Sequence, residues 1–182
     1  MKQSIVDIND FYQAPAFSAC VSETTNESFP KIKQVFELSL ECLSVCIAKQ
    51  MTYTIGKQLA TGKIMKAVVD SECFHRLPTA EFLHEMSREG DQMLAGMLPS
   101  QKSSIVGIIV GYTKVRTATA SFLVGIMVYL LVAHIQKEAQ VRKWDIQELS
   151  FFLYQLVDDD ITTQLNHKDL ETLGVSSLFI KS

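Results

Sequence analysis

Residues 117–137, TATASFLVGIMVYLLVAHIQK, decide how this chain is read, because the run from Phe122 to Ala133 carries no charge and hardly a polar atom. A helix that is apolar on every side is buried either by lipid or by a ring of other helices. A membrane span needs about 20 predominantly apolar residues. Extending this run to that length takes in Thr117, Thr119, Ser121 and His134, which are costly in hydrocarbon. The expectation is therefore a core helix over about 117–138, sheathed by the rest of the chain.

The rest of the chain offers helices to do so. Prolines stand at 15, 30, 78 and 99, each where helical periodicity stops or starts, and they read as punctuation. Pro30 suits the first turn of a helix reaching Gln50, with Ile32, Val35, Phe36, Cys42, Leu43, Cys46 and Ile47 on one stripe and Glu37, Glu41 and Ser44 opposite. The segment 55–70 repeats this more weakly, with Leu59, Met65, Val68 and Val69 expected inward and Lys57, Lys63 and Lys66 outward. Pro78 and Thr79 open a third helix with a stripe of Phe82, Leu83, Met86, Met93, Leu94 and Met97, interrupted by Gly90. Ser100 is expected to cap the helix at 101–112, Thr117 or Thr119 the long apolar helix, and Asp145 the segment IQELSFFLYQL. No stretch alternates as a half-buried strand would. The predicted class is all-α, a compact multi-helix bundle around the central apolar helix.

Composition narrows the functional classes. With 182 residues the chain suits one domain, enough to bury roughly 70% of its unfolded surface. Lys and Arg number 17 against 20 Asp and Glu, for a net charge of -3, so a nucleic-acid backbone meets no general excess of positive charge. The hydrophobic share of 47% and the mean hydropathy of +0.14 fit a large interior or a partner surface. The opening MKQSIVDINDFYQ lacks the basic-then-apolar layout of a secretory signal, so a cytoplasmic location is expected and Cys20, Cys42, Cys46 and Cys73 are read as thiols.

Cys42, Cys46, Cys73 and His75 are four soft ligands, but their spacing matches no zinc pattern, and Cys42 and Cys46 share the stripe of Phe36 and Leu43 as small hydrophobes. HEMSR, residues 84–88, places Arg88 where a metalloprotease helix needs its second histidine. GKQLATGKI, residues 56–64, has one residue too many for a phosphate loop, and Ile64 stands where the hydroxyl belongs. Asp158, Asp159 and Asp160 read as the acidic start of a helix. Met65, Met86, Met93 and Met97 read as core filler, with an adaptable binding groove as the alternative. Lys114 and Arg116 make too small a basic cluster for nucleic acid. An enzyme site assembled from scattered groups would draw on His75, His134 and Asp158. No catalytic residue, cofactor ligand or metal ligand is assigned.

The stretch GDQMLAGMLPSQKSSIVGIIVGYTKVRTATASFLVGIMVYLLVAHIQKEAQVRKWDIQELSFFLYQL, residues 90–156, resembles the YidB-like family of bacterial domains of unknown function. In that family a short helix, a turn, a small-residue helix start, a long apolar helix and a Leu-rich helix follow in this order. TNESFPKIKQVFELSLECLSVCIAKQ is similar to the family's earlier apolar helix, so the resemblance covers about residues 20–156. Many relatives carry a proline within the long helix; here Tyr129 stands in its place, and a straighter helix is expected. The resemblance implies an α-helical domain without established catalytic residues, joined in some relatives to an OmpA-like peptidoglycan-binding module. Residues 35–50 and 122–137 also align without gaps as two apolar helices, an internal echo.

These readings give an N-terminal arm at 1–27, a helical YidB-like domain at 28–157 and a short helical extension at 158–182. The functional expectation is a non-enzymatic helical protein-protein interaction or scaffold module, a subunit of a larger bacterial assembly, that binds a protein partner or itself. The alternative is a membrane-associated protein anchored through residues 117–135.

Overall fold

The computed structural model describes residues 2–70, 72–156 and 164–178. In it the long apolar segment is one uninterrupted helix, α7, Thr117–Arg142, and every residue from Leu123 to Ile135 is buried. It has the length and apolarity of a membrane span, yet 83% of its most apolar window lies inside the protein. Around it run α1 (Lys2–Gln13), α2 (Pro15–Thr25), α3 (Phe29–Met51), α4 (Thr54–Lys66), α5 (Ala80–Met97), α6 (Lys102–Thr113) and α8 (Ile146–Tyr154), followed by a short α9 (His167–Thr172) and a 3-10 turn, Ser176–Leu178. Among the described residues there is no strand, and the class is all-α. Helices α1, α3, α4, α5 and α6 all pack on α7.

The tightest of these pairings is α5 on α7. A methyl group placed on Gly90 would fall 1.8 Å from the Gly125 carbonyl oxygen, and one on Gly125 would fall 2.4 Å from the Ser87 carbonyl oxygen. The two backbones thus touch directly, with no side chain between them. Gly90, which looks like a flaw in the α5 stripe, is the contact point itself. Each helical glycine costs about 1 kcal/mol relative to alanine, offset here by the dispersion contacts of close backbone approach.

The few polar atoms on α7 are turned to the connection between α4 and α5. The Tyr129 hydroxyl accepts a hydrogen bond from the Asp70 amide at 2.8 Å. Gln136 donates to the carbonyls of Ile64 and Ala67 at 2.6 and 2.8 Å, satisfying acceptors left over at the end of α4. The His134 ring stands edge-on to Phe74 at 6.5 Å. Tyr129, His134 and Gln136 thus meet this loop from α7.

A second helix is buried almost as completely. Every residue of α3 from Leu38 to Ala48 is buried, so Glu41 and Ser44, expected on a polar side, are corrected to interior positions, while Glu37 stays partly exposed and pairs with Lys33 at 3.8 Å. Helices α4, α6, α7 and α8 surround it, and backbone amides of the C-terminal segment cover Glu41. The internal echo extends beyond the two apolar runs. Helix α2 ends at Asn26 (φ 55, ψ 38) and α6 at Lys114 (φ 57, ψ 20), both left-handed. Ser28 and Arg116, extended at ψ 145, then start α3 and α7. Matching turns thus join α2 to α3 and α6 to α7.

Local signals fared unevenly. Thr79 caps α5 by accepting from the Phe82 amide at 3.2 Å, and Asp145 with Glu148 forms a capping box on α8. Ser100 is not a cap but a left-handed residue (φ 69), and Gln101 starts α6. Arg116, not Thr117 or Thr119, starts α7, and Thr119 is buried. The segment expected as an arm at 1–27 is instead α1 and α2, whose Ile8, Tyr12, Phe17 and Val21 lie in the core. In the expected extension, α9 carries its own capping box of Asn166 and Asp169; Asp158, Asp159 and Asp160 lie outside the described residues.

Replacing Gly125 or Gly90 by alanine is expected to lower unfolding stability by about 1–3 kcal/mol or more, the cost of overpacking a close contact. Gly62→Ala, where a methyl meets nothing, is expected to be neutral or stabilising. Urea denaturation of the three variants checks this; equal stability of Gly125→Ala and wild type would be incompatible with the backbone crossing.

Candidate interaction surface

Helix α4 faces the opposite way to its apparent stripe. Its buried residues are Gly56, Ala60, Thr61 and Ile64, while Leu59, Met65 and Val68, expected inward, are exposed, Val68 to 87%. Where α4 leaves the end of α3, a methyl on Gly56 would fall 2.7 Å from the Gln50 carbonyl oxygen, so nothing larger than glycine fits at that position, while Ile64 is accommodated farther along the same face. Leu59, Met65 and Val68 stand on the side that carries the lysines.

Between α4 and α5 this outward face forms an open groove of about 550 Å³, with Leu59, Gly62, Val68 and Met93 as apolar lining and Lys63, Lys66, Gln58, Gln92 and Glu89 around them. The Lys63 stem lies over Gly96, its carbons 3.3–3.7 Å from where a methyl would sit, so that glycine leaves room for the lysine to lie flat. Among the described residues Lys57, Lys63 and Lys66 have no carboxylate partner. Glu89 pairs with Arg88 at 3.8 Å.

Helix α8 packs beside α4 and on α3. Leu149, Ser150 and Leu153 face inward, and Ile146, Phe151 and Tyr154 face out. Its N-terminus carries Asp145 and Glu148, and the helix holds no basic residue. Among the described residues, five exposed large hydrophobic side chains lie between Tyr53 and Val68 and four between Val141 and Tyr154, which leaves Leu77 and Tyr112 as the others. Helices α4 and α8 adjoin, so these two groups of exposed apolar residues lie on neighbouring parts of the molecule. Scattered exposed hydrophobics are ordinary on a monomer, whereas a contiguous patch marks a contact site.

The chemical candidates do not converge. Cys42 and Cys46 are core residues whose thiols burial pushes far up, Cys46 to about 12. Cys73 is buried, with its thiol also raised to about 12 by desolvation, while its sequence neighbour His75 points to solvent. No group of three metal-ligating side chains forms among the described residues. Residues 56–64 lie within a helix, not a phosphate-cradling loop. His84 is exposed with its ring 5.0 Å from Phe122, and Lys114 and Arg116 flank the turn into α7, Arg116 donating to the Thr25 carbonyl at 3.1 Å. His134 is buried in α7, remote in character from exposed His75, and Asp158 lies outside the described residues. Of the four methionines, Met86 and Met97 are core, Met65 is exposed, and Met93 lines the groove. The surface itself went unread in the sequence; the signal was Gly56 and Ala60, one turn apart, which mark the close-packed face.

Comparison with family models, with curated proteins and with solved structures finds no match for this chain.

Glu41 is a buried carboxylate, 3% exposed. It accepts from the amides of Gln164 and Leu165, each at 3.2 Å, and with Lys49, which donates to the Gly174 carbonyl, it ties the C-terminal segment to α3. Desolvation raises its pKa, opposed by those two amides. A carboxyl raised in the folded state binds its proton more readily there than in the unfolded chain, so its ionisation opposes folding as pH rises above the ordinary glutamate value. Glu41→Gln keeps an acceptor for both amides and is expected to match or exceed wild-type stability at neutral pH, the advantage vanishing on acidification. Glu41→Ala is expected to cost about 1–3 kcal/mol and to speed amide exchange across 164–178. Denaturation against pH and hydrogen exchange read both; a Glu41→Gln advantage that grows toward acid would refute the sign.

Proposed function

We propose that this chain is a non-enzymatic helical protein-protein interaction module, a scaffold subunit whose contact surface is the outward side of α4 and α8. The observation that carries this reading is the exposure of Ile55, Leu59 and Met65 on α4 and of Ile146, Phe151 and Tyr154 on the adjoining α8, beside Lys57, Lys63 and Lys66, which have no carboxylate partner among the described residues. Exposed apolar surface costs solubility, and it is retained where a partner covers it. A groove with a methionine wall adapts to a helical partner, and lysines at its edge steer an acidic one. A net charge that gives nucleic acid no purchase supports the same direction. In this reading the chain works in the cytoplasm as part of a larger bacterial assembly.

A photoreactive residue at Leu59 or Phe151 is expected to cross-link to a protein in native lysate, and the same residue at the exposed Ala118, on α7, is not. Leu59→Asp or Phe151→Asp should weaken the complex by about tenfold to a hundredfold, the equivalent of about 1.5–3 kcal/mol per large side chain. Flotation of the chain with anionic vesicles, lost in Leu59→Asp, would replace the protein partner by a membrane surface, where a basic apolar helix also settles.

A further inference from the structure

We propose that the first partner of this surface is a second copy of the chain, each α8 seated in the other copy's groove between α4 and α5 across a two-fold axis. The inference rests on the interaction reading above and specifies its occupant.

The two elements complement one another in three respects. The groove presents apolar Leu59, Val68 and Met93, and α8 presents apolar Phe151 and Tyr154. The groove edge carries Lys63 and Lys66, which have no carboxylate partner among the described residues, while α8 begins with Asp145 and Glu148 and has no basic residue. In the capping box each of these acids uses one carboxylate oxygen on a backbone amide, and the other oxygen remains free to meet an ammonium group. Length agrees as well: α8, Ile146–Tyr154, rises about 14 Å, the same as the stretch of α4 from Gln58 to Lys66 that walls the groove.

Topology makes the exchange reciprocal. Because α4 and α8 adjoin within one copy, an axis passing between them sets both grooves and both α8 helices against each other at once. A two-fold contact of this kind uses the same patch on both subunits and closes on itself without forming a filament. Apolar burial supplies the affinity, and the charges select register and orientation, since exposed ion pairs alone contribute little. The association is accordingly expected to weaken with salt.

Sedimentation over micromolar to millimolar concentration is expected to show a reversible dimer. Carbodiimide coupling of mixed isotope-labelled and unlabelled protein should join Lys63 or Lys66 of one copy to Glu148 of the other. Lys63→Glu with Lys66→Glu, and separately Glu148→Lys, should each weaken self-association about tenfold or more, because the first makes groove and helix alike in sign and the second cancels the acidic charge at the start of α8 and sets an ammonium against the groove lysines. Mixing those two chains should restore a heterodimer, since one of its contacts is the original one and the other sets the ammonium introduced by Glu148→Lys against the two introduced groove carboxylates; circular dichroism of each chain alone confirms that it is folded. Phe151→Asp, which leaves the capping box intact, serves as a second disruptor. A monomer throughout the concentration range, or a dimer indifferent to all of these changes, overturns the proposal. A monomer that still cross-links to another protein through Leu59 overturns self-association and leaves the interaction reading standing, whereas a monomer that captures nothing removes both.

Discussion

The fold depends on one contact between two backbones. Where α5 crosses α7, Gly90 and Gly125 leave no room for even a methyl group, and everything that sheathes the apolar helix follows from that approach. With the helices this close, Phe82, Leu83, Met86, Leu94 and Met97 reach the flanks of α7 and bury it. A side chain at the crossing would hold the helices apart and leave a gap that those residues do not fill. The same 26-residue helix would then present to solvent a surface apolar enough for lipid.

A bundle with one buried rod needs a ring of neighbours; this one has two buried rods, α3 and α7, packed on each other. Their approaches share a left-handed turn, at Asn26 and Lys114, and an extended residue, at Ser28 and Arg116. That repetition explains why a polar residue such as Glu41 can sit in the interior. The middle of α3, a second central helix, has no solvent side, and Glu41 is satisfied by amides brought from more than a hundred residues away in the chain.

The outward apolar surface begins beside a further close contact. Helix α4 lies against α3 through Gly56 and Ala60, and Leu59 and Met65 stand outside beside its lysines. Helix α8 adjoins it with outward Ile146, Phe151 and Tyr154. The core is made compact by small residues at its crossings, Gly56, Gly90 and Gly125, and Leu59 and Met65 of α4 remain on the surface.

The sequence by itself determined the class and the rod: an uncharged run too short for a comfortable span, prolines and caps such as Thr79 and Asp145, and helical spacing elsewhere, all of which depend on neighbours along the chain. It also contained the close-packed faces, as Gly56 with Ala60, and as Gly90 and Gly125, but periodicity counts glycine as an absence of apolar character and passes over them. Only the tertiary structure decided which side of α4 is inward, that Glu41 is interior, and that Ile8, Tyr12, Phe17 and Val21 are core. Which face of a helix is buried depends on how near the next helix comes, and that distance is set by pairs of residues far apart in sequence.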